Sequence, residues 1–475
     1  MLRNSMPALA TVSTRFAAHM PQTPLAPLVP RLQQRLIRLA RLVATTAVFA
    51  LAAAGGARAQ SLQELYEAAR AFDATYLASK ALADSARYRL ERIEALGKPT
   101  LSATAGASVG YNDTPTTNAG DIQSISGALR GRYPLINRAN TVTIEQAKRS
   151  LDSAAADLET AEQDLIVRVA LAYFDVLAAQ DTLGTTRASK AAITEQLASA
   201  KRNFEVGTAT ITDTREAQAR FDLATAQEIA ADNDLRAKRI ALDTLVGRTG
   251  VEPKPLAVPV ALPPVAPLGV EEWVTVADER HPTVKRAKVS LEVARLETEK
   301  ARAGDKPTLD AVATLSNSSA RGSSLPPVTR GNSTSATVGV ELNWPLYTGG
   351  ATQAAIRENL LLEQKASNDL QAARRGVAQS TRVAFFGVQS GQAQVLALEA
   401  AEASSKLALE ATQLGYRVGV RVNLDVLNAQ TQLYTTQRDL ARARYDVIVG
   451  GLRLRQASGQ LAGGDVESVN RLLTR

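Results

Sequence analysis

Two stretches of this 475-residue chain carry related polar side chains at matching positions. Phe204-Glu-Val206-Gly207 is followed by Thr212 and Asp213, and Tyr416-Arg-Val418-Gly419 by Arg421, Asp425 and Asn428. Side chains of these types pair charges and exchange hydrogen bonds; they do not assemble a nucleophile with a base. The chain has no cysteine and two histidines, His19 and His281. Disulfides, thiolate chemistry, a metal cluster and histidine catalysis therefore have almost nothing to work with, and neither an enzyme nor a cofactor is expected. Each polar residue also has a plainer reading. Asp213 could cap a helix N-terminus, Asp425 could be a solvated helix charge, and Arg421 could be a surface charge. Tyr416 stands where Phe204 stands, so its ring packs and only its hydroxyl is new, which favours a hydrogen bond.

The matching positions belong to a long internal repeat. Gly207, Asp213, Gln218 and Gly247 recur 212 residues later as Gly419, Asp425, Gln430 and Gly459. Tyr133-Pro134-Leu135 returns as Trp344-Pro345-Leu346, and Lys98-Pro-Thr-Leu101 as Lys306-Pro-Thr-Leu309. A unit this long exceeds any solenoid repeat, so one structural half is built twice. Proline is absent from 135 to 252 and after 345, which leaves room there for long helices. Ile144, Ala147, Leu151, Ala154, Leu158, Ala161 and Leu165 step by three and four, and Val169 to Phe204 continues the seam, in the manner of a coiled coil with small knobs. A helix from Ile136 to Asn203 would run about 100 Å. Val206-Gly207 and Val418-Gly419 end the long helices, which return over roughly 212–246 and 424–458. Shorter helices over roughly 61–96 and 270–303 would supply the missing half-lengths. Repeats over 60–251 and 270–460 are expected, joined by a Pro-rich strap over 252–269 and followed by a tail, 461–475.

Between the helices the period changes to two. Strands are expected at about 100–111, 124–133, 308–316 and 335–344. Each is close to the length of a tilted membrane β-strand, with Tyr111, Tyr133 and Trp344 at strand ends as interfacial aromatics. Two soluble hairpins are the plainer alternative. If the strands do span lipid, four cannot close a barrel and an open edge is not tolerated there. Three copies would make twelve.

Residues 1–59 carry seven Arg and no Lys, Asp or Glu, with an apolar run from Leu42 to Ala54 and small residues at Ala57-Arg58-Ala59. This reads as a secretory signal preceded by an extension, too short in its apolar run for a membrane anchor; Met6 or Met20 are alternative starts. Without those arginines the formal charge falls from +8 to +1, so the basic balance is no argument for nucleic-acid binding. Without cysteine, a lipid-anchored mature end is not expected.

Taken together, Phe204-Glu-Val-Gly207 with Thr212-Asp213, Gly415-Tyr416-Arg-Val-Gly419 with Arg421 and Asp425-Val426-Leu427, and the two strand-to-helix switches resemble the TolC family of outer-membrane channels over nearly all of 61–460. The resemblance implies a mainly α protein with membrane β: a homotrimer whose twelve-stranded outer-membrane barrel, four strands per chain, continues as a coiled-coil tunnel in the periplasm. It implies work with a periplasmic adaptor and an inner-membrane ABC transporter or other pump, passing an exported protein or small molecule. It further implies a closed tip in which Asp213 bonds Tyr416 and Arg421 reaches Thr212 of a neighbouring copy. Two acidic layers would constrict the pore; Asp425 matches the first, but the second position is Asn428, which halves the ring charge from six to three. Protein export by type I secretion is favoured over efflux because no lipidated Cys is present and the chain ends soon after the repeat. A periplasmic adaptor is the more distant alternative. Phe204 against Tyr416, Thr210 against Val422 and Glu216 against Asn428 mark where the halves differ beside the turns.

Overall fold

In the computed structural model, the described residues are 59–474 except 115, 116, 258, 261, 324 and 326–329. The leader expected over 1–59 lies outside them but for Ala59. The elements run α1 (Leu62–Phe72), α2 (Ala74–Glu94), β1 (Thr100–Thr114), β2 (Thr117–Ile136), α3 (Arg138–Glu205), α4 (Ile211–Val246), α5 (Val270–Arg280), α6 (Pro282–Arg302), β3 (Thr308–Arg321), β4 (Gly331–Asn343), α7 (Ala351–Arg417), α8 (Asn423–Ala457) and α9 (Gly463–Asn470).

The strands form one antiparallel sheet in the order β1-β2-β3-β4. They hold 15, 20, 14 and 13 residues, longer than the ten-residue apolar stretches. The polar connections left between the expected strands, 112–123 and 317–333, are therefore shorter than the sequence suggests: Thr117–Gln123 belongs to β2, Asn317–Arg321 to β3 and Gly331–Ser333 to β4. Backbone groups alone make the antiparallel ladder, so Ser, Thr and Gly extend it where side-chain alternation has ended. The register sorts the two faces. Ala103 faces Leu129, Leu129 faces Leu315, Ala313 faces Val338 and Leu309 faces Leu342. On the opposite face Ser102 meets Arg130, Arg130 meets Thr314, and Asp310 meets Glu341. Arg132 Nη2 reaches Asp310 Oδ2 at 2.6 Å and Arg130 pairs with Glu341 at 3.5 Å across that polar face. The apolar face is bare, with Val338 89% exposed. Among the described residues β1 and β4 pair with no further strand.

All helices enter and leave at one end of the sheet, where Thr100 lies opposite Arg132 and Thr308 opposite Asn343. Eleven residues in α1, 21 in α2 and 36 in α4 together match the 68 of α3, against which all three pack. In the second half α5, α6 and α8 contribute 11, 21 and 35, matching the 67 of α7. The single helices expected over 61–96 and 270–303 are each broken in two, at Asp73 and at His281-Pro282. The returning helices end against those breaks. A Cβ on Gly247 would collide with the Phe72 ring, and one on Gly459 would lie 2.5 Å from His281 Cα.

The largest core sits midway along α3. Leu165, Ile166, Val169, Tyr173, Phe174, Val176 and Leu177 are all buried, on and off the heptad seam, because α1, the end of α4, the end of α8, α9 and the strap surround α3 here. The Tyr173 hydroxyl lies 2.9 Å from Lys254 O and 3.2 Å from Gln60 O, fastening the strap. Below this core the packing thins, and Phe204, the last seam residue, is exposed because no helix lies beyond the turn.

Asp73 closes the first break. Its carboxylate accepts from Tyr76 N at 2.7 Å, capping α2, and takes Arg168 Nη1 and Nη2 at 2.9 and 3.0 Å. The Arg168 hydrogen bond is the main cause holding its pKa below the ordinary value. Its contribution to stability is therefore present above about pH 4, the unfolded carboxylate value, and is lost as pH falls through the lower folded value. Asp73→Ala is expected to cost about 1–2 kcal/mol at neutral pH, read as a lower denaturant midpoint that converges on the parent's in acid.

Candidate functional site

Both long hairpins turn with the same geometry. Gly207 and Gly419 each take a φ of 81°, a left-handed conformation that favours glycine. It lets Thr208 N reach Asn203 O and Val420 N reach Gly415 O, each at 2.8 Å. Gly415 makes room for the stem of Arg421, whose Cγ would lie 2.8 Å from a Cβ there.

Past the turns the halves diverge. Thr210 caps α4 in a reciprocal box: Thr210 N donates to Asp213 Oδ2 at 3.0 Å, and Asp213 N donates to Thr210 Oγ1 at 3.3 Å. The residue matching Thr210 is Val422, which has no side-chain oxygen to cap α8. The aspartate matching Asp213 is thereby released from capping, and Asp425 pairs with Arg421 at 3.6 Å. An exposed pair one helical turn apart contributes only about 0.3–0.5 kcal/mol.

The bond implied between Asp213 and Tyr416 is not formed within the chain, because the Asp213 carboxylate is occupied by the otherwise unpaired amide at its own helix start. The Tyr416 hydroxyl accepts instead from Asn203 Nδ2 at 3.1 Å. Asn428 is likewise held: its Oδ1 accepts from Arg220 Nη2 at 3.1 Å. Both contacts join the first repeat to the second. Neither Asn203 nor Arg220 was legible as a site residue, since the partners lie 213 and 208 residues away. Thr212 is exposed on the first turn of α4. These groups hold helices together by polar contact; they present no reacting pair. Among the described residues there is no cluster of His, Cys, Asp and Glu able to hold a metal.

At the sheet, Tyr111 lies toward the hairpin end, while Tyr133 and Trp344 lie toward the helices, all three exposed. Leu346 and Tyr347, 81% and 90% exposed, extend the apolar surface beside Trp344. Their signal was the repeat itself, because they follow Trp344-Pro345 as Leu135-Ile136 follow Tyr133-Pro134. Among the described residues no helix is long and apolar enough to cross a membrane, which says nothing about strands.

A family profile described as Outer membrane efflux protein matches residues 65–248 and again 273–460, one match per repeat. The chain belongs to this outer membrane efflux protein family. TolC of Vibrio cholerae, called an outer membrane protein, is 34% identical over 411 residues, covering 86% of this chain and 92% of that one. The alkaline protease secretion protein AprF of Pseudomonas aeruginosa is 36% identical over 309 residues, 65% of this chain and 64% of its own. CyaE of Bordetella pertussis is 27% identical over 310 residues, 60% of this chain and 63% of that protein. The fold agrees with solved structures of low identity. CusC superposes with a TM-score of 0.73 at 18% identity, covering 84% of this chain and 92% of that one. VceC of Vibrio cholerae gives 0.71 at 19%, covering 84% and 96%. The repeat legible in the sequence is thus a property of the outer membrane efflux protein fold.

Proposed function

We propose that this chain is the exit duct of a tripartite export system, a homotrimer in the outer membrane whose helices form a periplasmic tunnel. The observation that carries this reading is the sheet. It has one bare apolar face, one face lined with Arg, Asp, Glu and Ser, and two edges that pair with no further strand among the described residues. Such a sheet is stable in lipid only when its edges are joined to other strands, and three copies supply twelve. The helices of about 100 Å then continue the lumen away from the membrane. A periplasmic adaptor and an inner-membrane ABC transporter complete the path, and the turns at Gly207 and Gly419 form its closed end. Tyr416 with Asn203, and Arg421 against Thr212 of the next copy, hold that end shut, with Asp213 fixing the start of α4 beside them and Asp425 and Asn428 at the constriction.

Protein export by type I secretion is the preferred cargo class, supported by similarity to a relative named for alkaline protease secretion. Small-molecule efflux is the second reading, favoured by the description of the family itself. Deletion of the gene separates them. Loss of one or a few proteins from the culture medium with unchanged drug tolerance is expected; drug hypersensitivity with an intact secreted set would transfer the assignment to efflux. Recovery of the protein in soluble periplasm would sink the channel reading altogether.

A further inference from the structure

We infer that Arg220 is a gate residue that latches the second hairpin to the first by donating to Asn428. The inference rests on the channel reading above. Its basis is how little else joins the two hairpins at the tip. The apolar cluster there consists of Ile193, Leu197, Ala200, Ala217 and Ala224 from the first hairpin, with Leu427 as the one buried contribution from α8. Beside it Gln196 Oε1, Asn423 Oδ1 and Gln430 Oε1 are buried with no hydrogen-bond partner among the described residues. Separating the hairpins exposes one leucine, which opposes opening, and hydrates three unpartnered amide oxygens, which favours it. One buried leucine does not outweigh three unpartnered oxygens, each of which costs about as much as the leucine gains, so closure depends on the polar contacts that cross the gap: Arg220 to Asn428 and Asn203 to Tyr416, each 3.1 Å.

Higher up, α8 is fixed. Tyr445 donates to Asp181 Oδ2 at 2.6 Å within the large core, about 27 Å along the helix from Leu427. The free length of α8 below that anchor is the segment that Arg220 restrains. The same contact changes the electrostatics of the constriction. Asn428 is neutral, Asp425 lies beside Arg421, and Arg220 brings a further positive charge to the layer where a second carboxylate would otherwise stand.

The test uses the full trimer in planar lipid bilayers. Arg220→Ala and Asn428→Ala should each raise the open probability, by roughly two- to fivefold, the range for losing an exposed polar contact to a charge. The double variant should show no further increase, because both changes remove one contact. Asn428→Asp should lower the open probability, since a carboxylate accepts from guanidinium more strongly than an amide does. Unchanged gating in the single variants, additive effects in the double variant, or a rise with Asn428→Asp each overturn the latch while pores in the parent leave the channel standing. A parent that forms no pores overturns the channel reading and the latch with it.

Discussion

Gly459→Ala is expected to cost about 3–4 kcal/mol, whereas Gly419→Ala, 40 residues earlier in the same repeat, should cost about 1–2. Both glycines have positive φ, 68° and 81°, so each substitution carries the left-handed penalty. The surroundings separate them. A Cβ on Gly419 meets nothing within 4 Å. On Gly459 it would lie 2.5 Å from His281 Cα and 2.7 Å from His281 N. Backbone at that distance cannot rotate away as a side chain can. It is further fixed because His281 caps α6, its Nδ1 accepting from Thr283 N at 3.1 Å, with Pro282 as the first helical residue. The end of α8 would have to retreat from the break between α5 and α6, opening the junction that lets three helices match one. Guanidinium unfolding of the detergent-solubilised protein, followed by its helical circular dichroism, checks the order. Equal midpoints for the two variants would show that the junction tolerates a methyl group and that the close approach carries no energetic weight.

How far this architecture is legible in the sequence follows from the range of the interactions involved. The repeat, the proline-free stretches and the change from heptad to alternating pattern are local signals, and they place the long helices within a few residues. Chemistry of short range was legible in part. The spacing of Thr210 and Asp213 is that of a capping box, yet Asp213 reads equally well as a cross-hairpin partner until the structure shows its carboxylate in use. The exchange of Thr210 for Val422 is visible as a mismatch, but its effect, freeing Asp425 for Arg421, depends on which aspartate each helix start consumes. Contacts between the repeats leave no periodic trace. Arg220 and Asn203 look like ordinary solvated positions because their partners are set by how two hairpins of about 100 Å lie against each other. The break at Asp73 was hidden because the helical pattern continues through it, whereas Pro282 is a local signal for the break at His281 that the single helix expected over 270–303 passed over.

Tyr445→Ala should be at least as damaging as the glycine substitution, about 3–5 kcal/mol, and Tyr445→Phe should isolate the part due to the hydroxyl, about 1–3 kcal/mol. The ring belongs to a buried aromatic row, 5.6 Å from Phe174, itself 5.3 Å from Tyr173. Phenylalanine keeps that row and removes only the donor to Asp181. Burial pushes the Asp181 carboxyl above its ordinary pKa, and the Tyr445 hydrogen bond opposes the rise; the phenol is itself pushed up by burial and remains a donor throughout. The sign of the pH dependence follows. A carboxyl with a raised folded pKa holds its proton where the unfolded chain has released it. Its stabilising effect is greatest below the unfolded value of about 3.9 and is lost as pH rises through the folded value. Without the opposing hydrogen bond the folded value climbs further, so the loss in Tyr445→Phe extends to higher pH than in the parent. Asp181→Asn, which still offers an oxygen to Tyr445 and cannot ionise, should be flat over the same range. Denaturant midpoints for the three proteins between pH 4 and 8 should therefore diverge with rising pH. Parallel curves would mean that Asp181 ionises freely, and the anchor of α8 would then be the aromatic packing alone. Because this contact fixes α8 above the thinly packed tip, Tyr445→Phe should also loosen the closed end without touching a residue there.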